Sequence, residues 1–297
     1  MPEIIYLKRE WAPGEYAGRF VEPYEAVVSA LDRGFLFGDA VYEVVRSYDG
    51  RLWAMERHLR RLRHSLRAIE LTAAEVTDIG DAIGEAYRRS ELPQAMVYLQ
   101  VTRGAAPARR HAYTRDLRPT VLVMVSDISP LVAGINWEGE PVVTAPDLRW
   151  RRCDIKSTNL LPNTLAQTWA VDQGAHEAVL VDADGCITEG SSTAIFCVER
   201  GAVLATPLGP QILASVTREF AAEIAHDLGL PFRQERIPVA RFRAAEEVFI
   251  ASTVHEICPV VRVDGRQIGD GRPGPVTRRL MAGYRERVKA GDDAPRA

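Results

Sequence analysis

The stretch Val41–Ala54, VYEVVRSYDGRLWA, sets how the rest of the chain is read. Val41 to Tyr48 is rich in β-branched and aromatic residues. Asp49-Gly50 then supplies the two positive φ angles of a tight hairpin turn before the chain returns through Arg51–Ala54. Upstream, from Ile4, short apolar runs broken by Gly and Asp also read as β structure. Downstream the periodicity changes. Glu56–Glu70 puts Leu59, Leu62, Leu66 and Ile69 on one helical face, and a second helix opens on the capping-box pattern Thr72-Ala-Ala-Glu75 and runs to about Ser90. Ala95–Thr102 and Thr120–Val125 follow as strands. The polar, arginine-rich stretch Arg103–Pro119 between them is too long for a plain connection and is a candidate active-site loop.

Pro130, Gly134 and Gly139 mark Ser126–Glu140 as a linker, with the boundary near residue 132. Beyond it the sequence predicts a strand (Pro141–Ala145), a helix (about Pro162–Asp172) and strands at Ala178–Asp182, Cys186–Thr188, Ala194–Val198 and Val203–Ala205. A helix at Ser215–Leu228 and strands at Glu247–Ala251 and Val260–Val263 complete the second half, and the tail Lys289–Ala297 reads as frayed. The expected class is α/β, of the α+β type, in two domains: a smaller α/β domain over 1–132 and a larger β-rich one over 133–297.

A chain of 297 residues with 46% apolar and 26% charged residues can bury a full core without metal or disulfide staples. Its net charge of −3 gives no global field for nucleic acid or anionic membrane. Met1–Glu10 lacks a long apolar core and no run of 18 apolar residues occurs, so neither a signal peptide nor a membrane span is expected, and the cytoplasm is the expected compartment. Cys153, Cys186, Cys197 and Cys258 are widely spaced without C-x-x-C, the pattern of reduced thiols rather than a metal site.

Four places could carry chemistry. Lys156, in Arg151-Arg152-Cys153-Asp154-Ile155-Lys156-Ser157-Thr158-Asn159, sits between a strand end and a helix start; on context alone it is solvent-exposed, but desolvation or nearby Arg151 and Arg152 would lower its pKa and make it a nucleophile. Thr188-Glu189-Gly190-Ser191-Ser192-Thr193 is by itself a polar β-turn whose small residues would let a planar ligand approach the backbone. Ser215 is placed to cap a helix whose first N–H groups, those of Val216 and Thr217, suit an anion, although most capped helices bind nothing. Ala251-Ser252-Thr253 is a strand end with two hydroxyls. The helix carrying Arg57, Arg60, Arg61, Arg63 and Arg67 has a basic face of the kind solvent usually covers.

Together the segments Asp32–Arg46 (DRGFLFGDAVYEVVR), Arg149–Leu161 (RWRRCDIKSTNLL), Ile187–Phe196 (ITEGSSTAIF) and Ile212–Arg218 resemble the fold-type IV pyridoxal-phosphate enzymes, over about Asp32 to Tyr284. That group contains D-amino-acid aminotransferases, branched-chain aminotransferases and aminodeoxychorismate lyase. The resemblance implies a homodimer with pyridoxal 5'-phosphate in the cleft between the domains. It also implies Lys156 as the Schiff-base lysine, Glu189 as partner of the pyridine nitrogen and Leu213 packed on one ring face. Arg61, the N–H groups of Val216 and Thr217, the Thr217 hydroxyl and Thr253 would hold the phosphate.

Within that group the chain is most similar to D-amino-acid aminotransferases, through Tyr42 and the Arg109-Arg110-His111 stretch after Thr102-Arg103-Gly104. The resemblance implies that Tyr42, Arg109 and His111 bind the substrate carboxylate and that amino and keto acids are the small-molecule partners. Two features depart from the pattern. The Gly104–Arg109 spacing is longer by about a residue, and Arg46 stands where lysine is usual, with Val44 narrowing the pocket beside it. An (R)-amine or branched-chain L-amino-acid transaminase therefore stays open. The lyase is the alternative from another reaction class, and Glu43-Val44-Val45 departs from its threonine pattern.

Overall fold

The computed structural model describes residues 4–72, 74 and 76–294 and divides into two compact units. One takes the chain up to residue 130, the short segment 155–159 and the chain from 293; the other takes 131–154 and 160–292. The segment Ile155–Asn159, expected in the C-terminal domain, packs with the N-terminal unit instead. Ile155 is an apolar residue buried in that unit's core, and a bridge between Val41 and Ser157 ties the segment to the hairpin strand.

The first unit contains β1 (Ile4–Ala12), β2 (Glu15–Val21), α1 (Arg33–Phe37), β3 (Ala40–Tyr48), β4 (Arg51–Leu52), α2 (Met55–Ala68), α3 (Val76–Ser90), β5 (Ala95–Thr102) and β6 (Thr120–Asp127). Its sheet is ordered β2-β1-β6-β5-β3-β4, with every pairing antiparallel. The turn between β3 and β4 has positive φ at both Asp49 and Gly50, as a two-residue hairpin requires. Side chains alternate across a strand. Val41 and Val45 of β3 therefore join Val97, Leu99, Val101, Val121, Val123 and Val125 in one core with Leu62 and Leu66 of α2 and Ile79 and Ile83 of α3. Tyr42, Val44 and Arg46 have the opposite parity and face away from those helices. The capping box expected at Thr72–Glu75 includes Ala73 and Glu75, which lie outside the described residues.

The second unit follows α4 (Ser129–Ala133). It contains β7 (Glu140–Pro146), α5 (Leu161–Asp172), β8 (Glu177–Val181), β9 (Cys186–Gly190), β10 (Ala194–Glu199), β11 (Ala202–Ala205), α6 (Val216–Asp227), β12 (Phe232–Gln234), β13 (Ile237–Pro238), α7 (Val239–Arg243), β14 (Glu247–Ser252), β15 (Glu256–Val263), β16 (Arg266–Gln267) and α8 (Pro275–Ala290). They form a mixed sheet ordered β12-β11-β10-β14-β15-β7-β8-β9-β13, with β16 paired to β15. Pairing is parallel at β11–β12, β7–β15 and β7–β8. Strands buried on both faces read as continuous apolar runs, and β10, AIFCVE, is buried from Ala194 to Val198.

Two expectations are corrected at the C-terminal end. The helix α8 has no counterpart in the sequence-based expectation, and it carries Lys289 and Ala290, read as frayed, before Gly291 ends it in the left-handed conformation. Beyond it, the Asp293 carboxylate accepts the Ala54 N–H at 2.9 Å, and the Asp293 and Ala294 carbonyls accept from the buried Arg57 at 3.0 and 2.5 Å. Residues 295–297 lie outside the described residues.

Candidate active site

In the first unit Lys156 is fixed by its backbone on both sides. Its N–H donates to Ser65 Oγ at 3.1 Å, and its carbonyl accepts the Tyr42 N–H at 2.9 Å. The Lys156 Nζ lies 4.2 Å from the Tyr42 ring centroid, within reach of a cation–π contact. Tyr42 is in turn stacked on Tyr98, with centroids 5.8 Å apart. Burial and the neighbouring Tyr42 push the Tyr98 phenol up to about 12, so that ring remains a neutral partner.

Behind Lys156, α2 presents His58, Arg61 and Ser65 at helical spacing along its buried face. Arg61 forks onto Glu43, Nε to Oε1 at 2.7 Å and Nη2 to Oε2 at 2.8 Å, and His58 Nδ1 meets the same carboxylate at 2.9 Å. Burial raises the Glu43 carboxyl, yet the Arg61 guanidinium overrides it and holds the group well below the ordinary carboxylate range. Burial pushes His58 the other way, toward the neutral ring, and Arg61 and Lys156 add to that. A neutral His58 donating from Nδ1 and a charged Arg61 satisfy Glu43 from two sides.

Of the expected substrate contacts, Tyr42 and Val44 are half-buried on β3, while Arg46 is buried with its guanidinium 4.3 Å over the Tyr48 ring. Arg109 and His111 are exposed and flank Phe37, at 5.0 and 5.5 Å from its centroid, rather than packing on Tyr42. Their loop is pinched at its root. Gly104 has φ +91°, and a Cβ there would sit 1.9 Å from the Arg118 carbonyl oxygen.

The second unit carries the other expected residues. Glu189, at the end of β9, accepts Arg149 Nη1 at 2.7 Å and the Leu213 N–H at 3.0 Å. Arg149 is shared, because its Nε and Nη2 bind Asp147 at 2.9 and 2.8 Å, and Asp147 also accepts the Thr188 hydroxyl at 2.7 Å. Burial raises Glu189, and Arg149 together with the Leu213 N–H does not fully offset it, leaving a net upward shift. Asp147 is also raised by burial, but Arg149 brings it below its ordinary value. Burial pushes the neighbouring Cys153 thiol up to about 11, so it is protonated and unreactive near neutral pH.

The turn after Glu189 is organised by Glu177 of β8, which accepts the N–H groups of Ala178, Ser191 and Ser192 and the hydroxyls of Ser191, Ser192 and Thr193, all within 3.1 Å. Ser215 caps α6 by accepting the Arg218 N–H at 3.2 Å. Val216 and Thr217 are buried at that helix start, and among the described residues neither N–H has a protein acceptor. Thr253 is half-buried in the turn between β14 and β15.

Sequence reasoning does not single out Glu43, His58, Ser65, Asp147, Arg149 or Glu177. Two signals for the first three are nevertheless present. Glu43 has the same strand parity as Val41 and Val45, which demands a buried partner, and His58, Arg61 and Ser65 recur at i, i+3 and i+7.

The family model described as amino-transferase class IV matches residues 40–263. A D-alanine aminotransferase of Staphylococcus haemolyticus is 37% identical over 279 residues, covering 92% of this chain and 96% of that one. A crystal structure of a branched-chain aminotransferase from the archaeon Thermoproteus uzoniensis with norvaline aligns at TM-score 0.84 and 26% identity, covering 98% and 96% of the two chains. A T.th. branched-chain amino acid aminotransferase, solved in complex with N-(5'-phosphopyridoxyl)-L-glutamate, aligns at TM-score 0.81 and 26% identity, covering 98% and 95%.

Proposed function

This chain belongs to the amino-transferase class IV family, and on that premise we propose that it moves the amino group of a D-amino acid to a 2-keto acid, using pyridoxal 5'-phosphate carried on Lys156. The observation that carries the reading is the setting of Lys156: an amine on a backbone held at both its N–H and its carbonyl, with its Nζ over a tyrosine ring.

The residues present fit the cofactor. Glu189 is a buried carboxyl that Arg149, divided between two acids, leaves short of positive charge, so a protonated ring nitrogen is the kind of cation it would hold. The buried N–H groups of Val216 and Thr217 suit a phosphate, aided by the Thr217 hydroxyl and by Thr253; in the other unit the fork onto Glu43 fixes the plane of Arg61, a side chain of the type that binds phosphate. Leu213, whose N–H is tied to Glu189, would pack on a ring face.

When bound, pyridoxal phosphate supplies a cationic ring that takes up the electrons left as the substrate's α-proton departs. Lys156 Nζ would take that proton from the α-carbon and return it two atoms away, on the far side of the amino nitrogen, acting as general base and then as general acid. Glu189 preserves the charge of the ring nitrogen. Tyr42, with Arg109 and His111, grips the carboxylate, while Val44 and Arg46 line the side-chain pocket.

D-Amino acids are favoured over the branched-chain L-amino-acid alternative because the D-alanine aminotransferase is the nearer in sequence, at 37% identity against 26%. A homodimer is supported by α5, whose Leu161, Leu165 and Trp169 lie one turn apart and are 70, 64 and 41% exposed. Half-reaction absorbance of the cofactor-loaded protein with D-alanine, L-leucine and (R)-1-phenylethylamine tests the substrate class. Fast conversion by D-alanine is expected, with slow but measurable conversion by the amine, and faster conversion by L-leucine would transfer the chain to the branched-chain reading. Sedimentation velocity checks the dimer, which Leu165→Glu should split.

A further inference from the structure

The candidate carboxylate-binding loop is gripped from α1. Arg33, the first residue of α1 and only 4% exposed, donates Nη1 to the Arg110 carbonyl at 2.6 Å and Nη2 to the His111 carbonyl at 2.8 Å. Its remaining edge, Nε, goes to Asp39 Oδ2 at 2.9 Å. The same Asp39 oxygen accepts Arg103 Nε at 2.8 Å, and Arg103 Nη2 donates to the Ile69 carbonyl at 2.6 Å. Tyr113 closes the assembly with its ring 3.6 Å from the Arg103 guanidinium and its hydroxyl on Glu70 at 3.1 Å. Burial acts to raise Asp39, but its two guanidinium partners bring it below the ordinary carboxylate range, so it stays charged and keeps both arginines in place.

We propose that Arg33 is a specificity-determining positioning residue, which clamps two consecutive loop carbonyls and so presets the direction in which Arg109 and His111 meet a substrate carboxylate. The inference rests on the reading that Arg109 and His111 bind that carboxylate. All three faces of the Arg33 guanidinium are spent on protein acceptors, so Arg33 acts through the loop and not on substrate. A planar fork can span two backbone oxygens; a lysine ammonium is a point donor and cannot do so with fixed geometry. Without the clamp, Arg109 would sample many directions and its carboxylate contact would form at an entropic cost.

The test compares Arg33→Met, Arg33→Lys and Arg109→Ala in the cofactor-loaded protein, with D-alanine and with (R)-1-phenylethylamine, which has no carboxylate. Arg33→Met should raise KM for D-alanine about tenfold more than KM for the amine, with kcat for D-alanine changed far less, and Arg33→Lys should do nearly the same. Trypsin should also cut faster after Arg109 and Arg110 in both Arg33 variants. That readout is independent of turnover, and Arg33→Lys serves if Arg33→Met does not fold. Rescue by Arg33→Lys would show that charge alone suffices and overturn the clamp. So would equal losses for both substrates, or unchanged trypsin cleavage. If Arg109→Ala shifts KM for D-alanine but the Arg33 variants do not, only this inference falls. If Arg109→Ala has no effect while loop cleavage still rises in the Arg33 variants, the carboxylate reading falls instead.

Discussion

Glu43 and Glu189 are both buried carboxyls hydrogen-bonded to one arginine, and they move in opposite directions. Glu43 receives the whole Arg61 fork with His58 on its other side and stays ionised, whereas Glu189 receives one donor from an Arg149 that spends its other two on Asp147. The first is closed electrostatically by the protein itself. The second keeps a net upward shift, with burial as its largest cause. An ion pair closed in this way satisfies itself, whereas a carboxyl left with a raised pKa is one that a cationic ligand, as proposed for Glu189, would relieve.

The largest effect is expected from Lys156→Ala, which removes the proposed cofactor lysine. Turnover should fall by about 10³-fold or more, and the visible absorbance of the cofactor-loaded protein should vanish with it. A coloured, active variant would refute the assignment of Lys156. Next, the two carboxyls can be set against each other in cofactor-free protein. Glu43→Gln removes the carboxylate onto which Arg61 forks and should lower unfolding stability by about 3–5 kcal/mol in urea at pH 7, while Glu189→Gln should cost less than about 1 kcal/mol, because Asp147 still holds Arg149. Equal losses would erase the contrast.

The same pair should differ with pH. Because the folded value of Glu43 is depressed, its contribution is present above the ordinary 4.5 and is lost as pH falls from there toward the folded value. For Glu189, whose folded value is raised, the contribution is present below 4.5 and is lost as pH rises through the folded value. Subtracting each Gln variant's stability–pH curve from the parent's should give slopes of opposite sign. Smaller effects sharpen the comparison at the two serine anchors. Ser65→Ala leaves the Lys156 N–H without its acceptor and should cost about 1–3 kcal/mol together with a drop in kcat. Ser215→Ala removes the cap of α6 and should cost about 1 kcal/mol, seen in the melting temperature, with weaker retention of inorganic phosphate.

Local chemistry was legible wherever it was written into consecutive residues. The Asp49-Gly50 hairpin, the Leu62/Leu66 helix face and the Ser215 cap each depend on near neighbours, and each formed. The reading failed where partners are distant. Nothing adjacent to Lys156 announces Ser65, 91 residues away, as the acceptor of its N–H. In the sequence Arg149 is one of several basic residues before Lys156, and only folding puts it on Glu189, 40 residues further on. The helix α8 escapes a sequence reading because its apolar positions, Val276, Leu280 and Tyr284, are sparse among arginines that include the buried Arg287.

Taken alone, the amino-acid sequence determined the α/β elements and the family, and through the family resemblance pointed to Lys156, because periodicity, turn chemistry and motif order are properties of short contiguous stretches. Only the tertiary structure decided which arginine closes on which acid, that the Lys156 segment packs with the N-terminal unit, and that Arg33 holds the loop bearing Arg109 and His111. Those outcomes depend on desolvation and on hydrogen-bond geometry between residues far apart in the chain, and neither exists until the chain has folded.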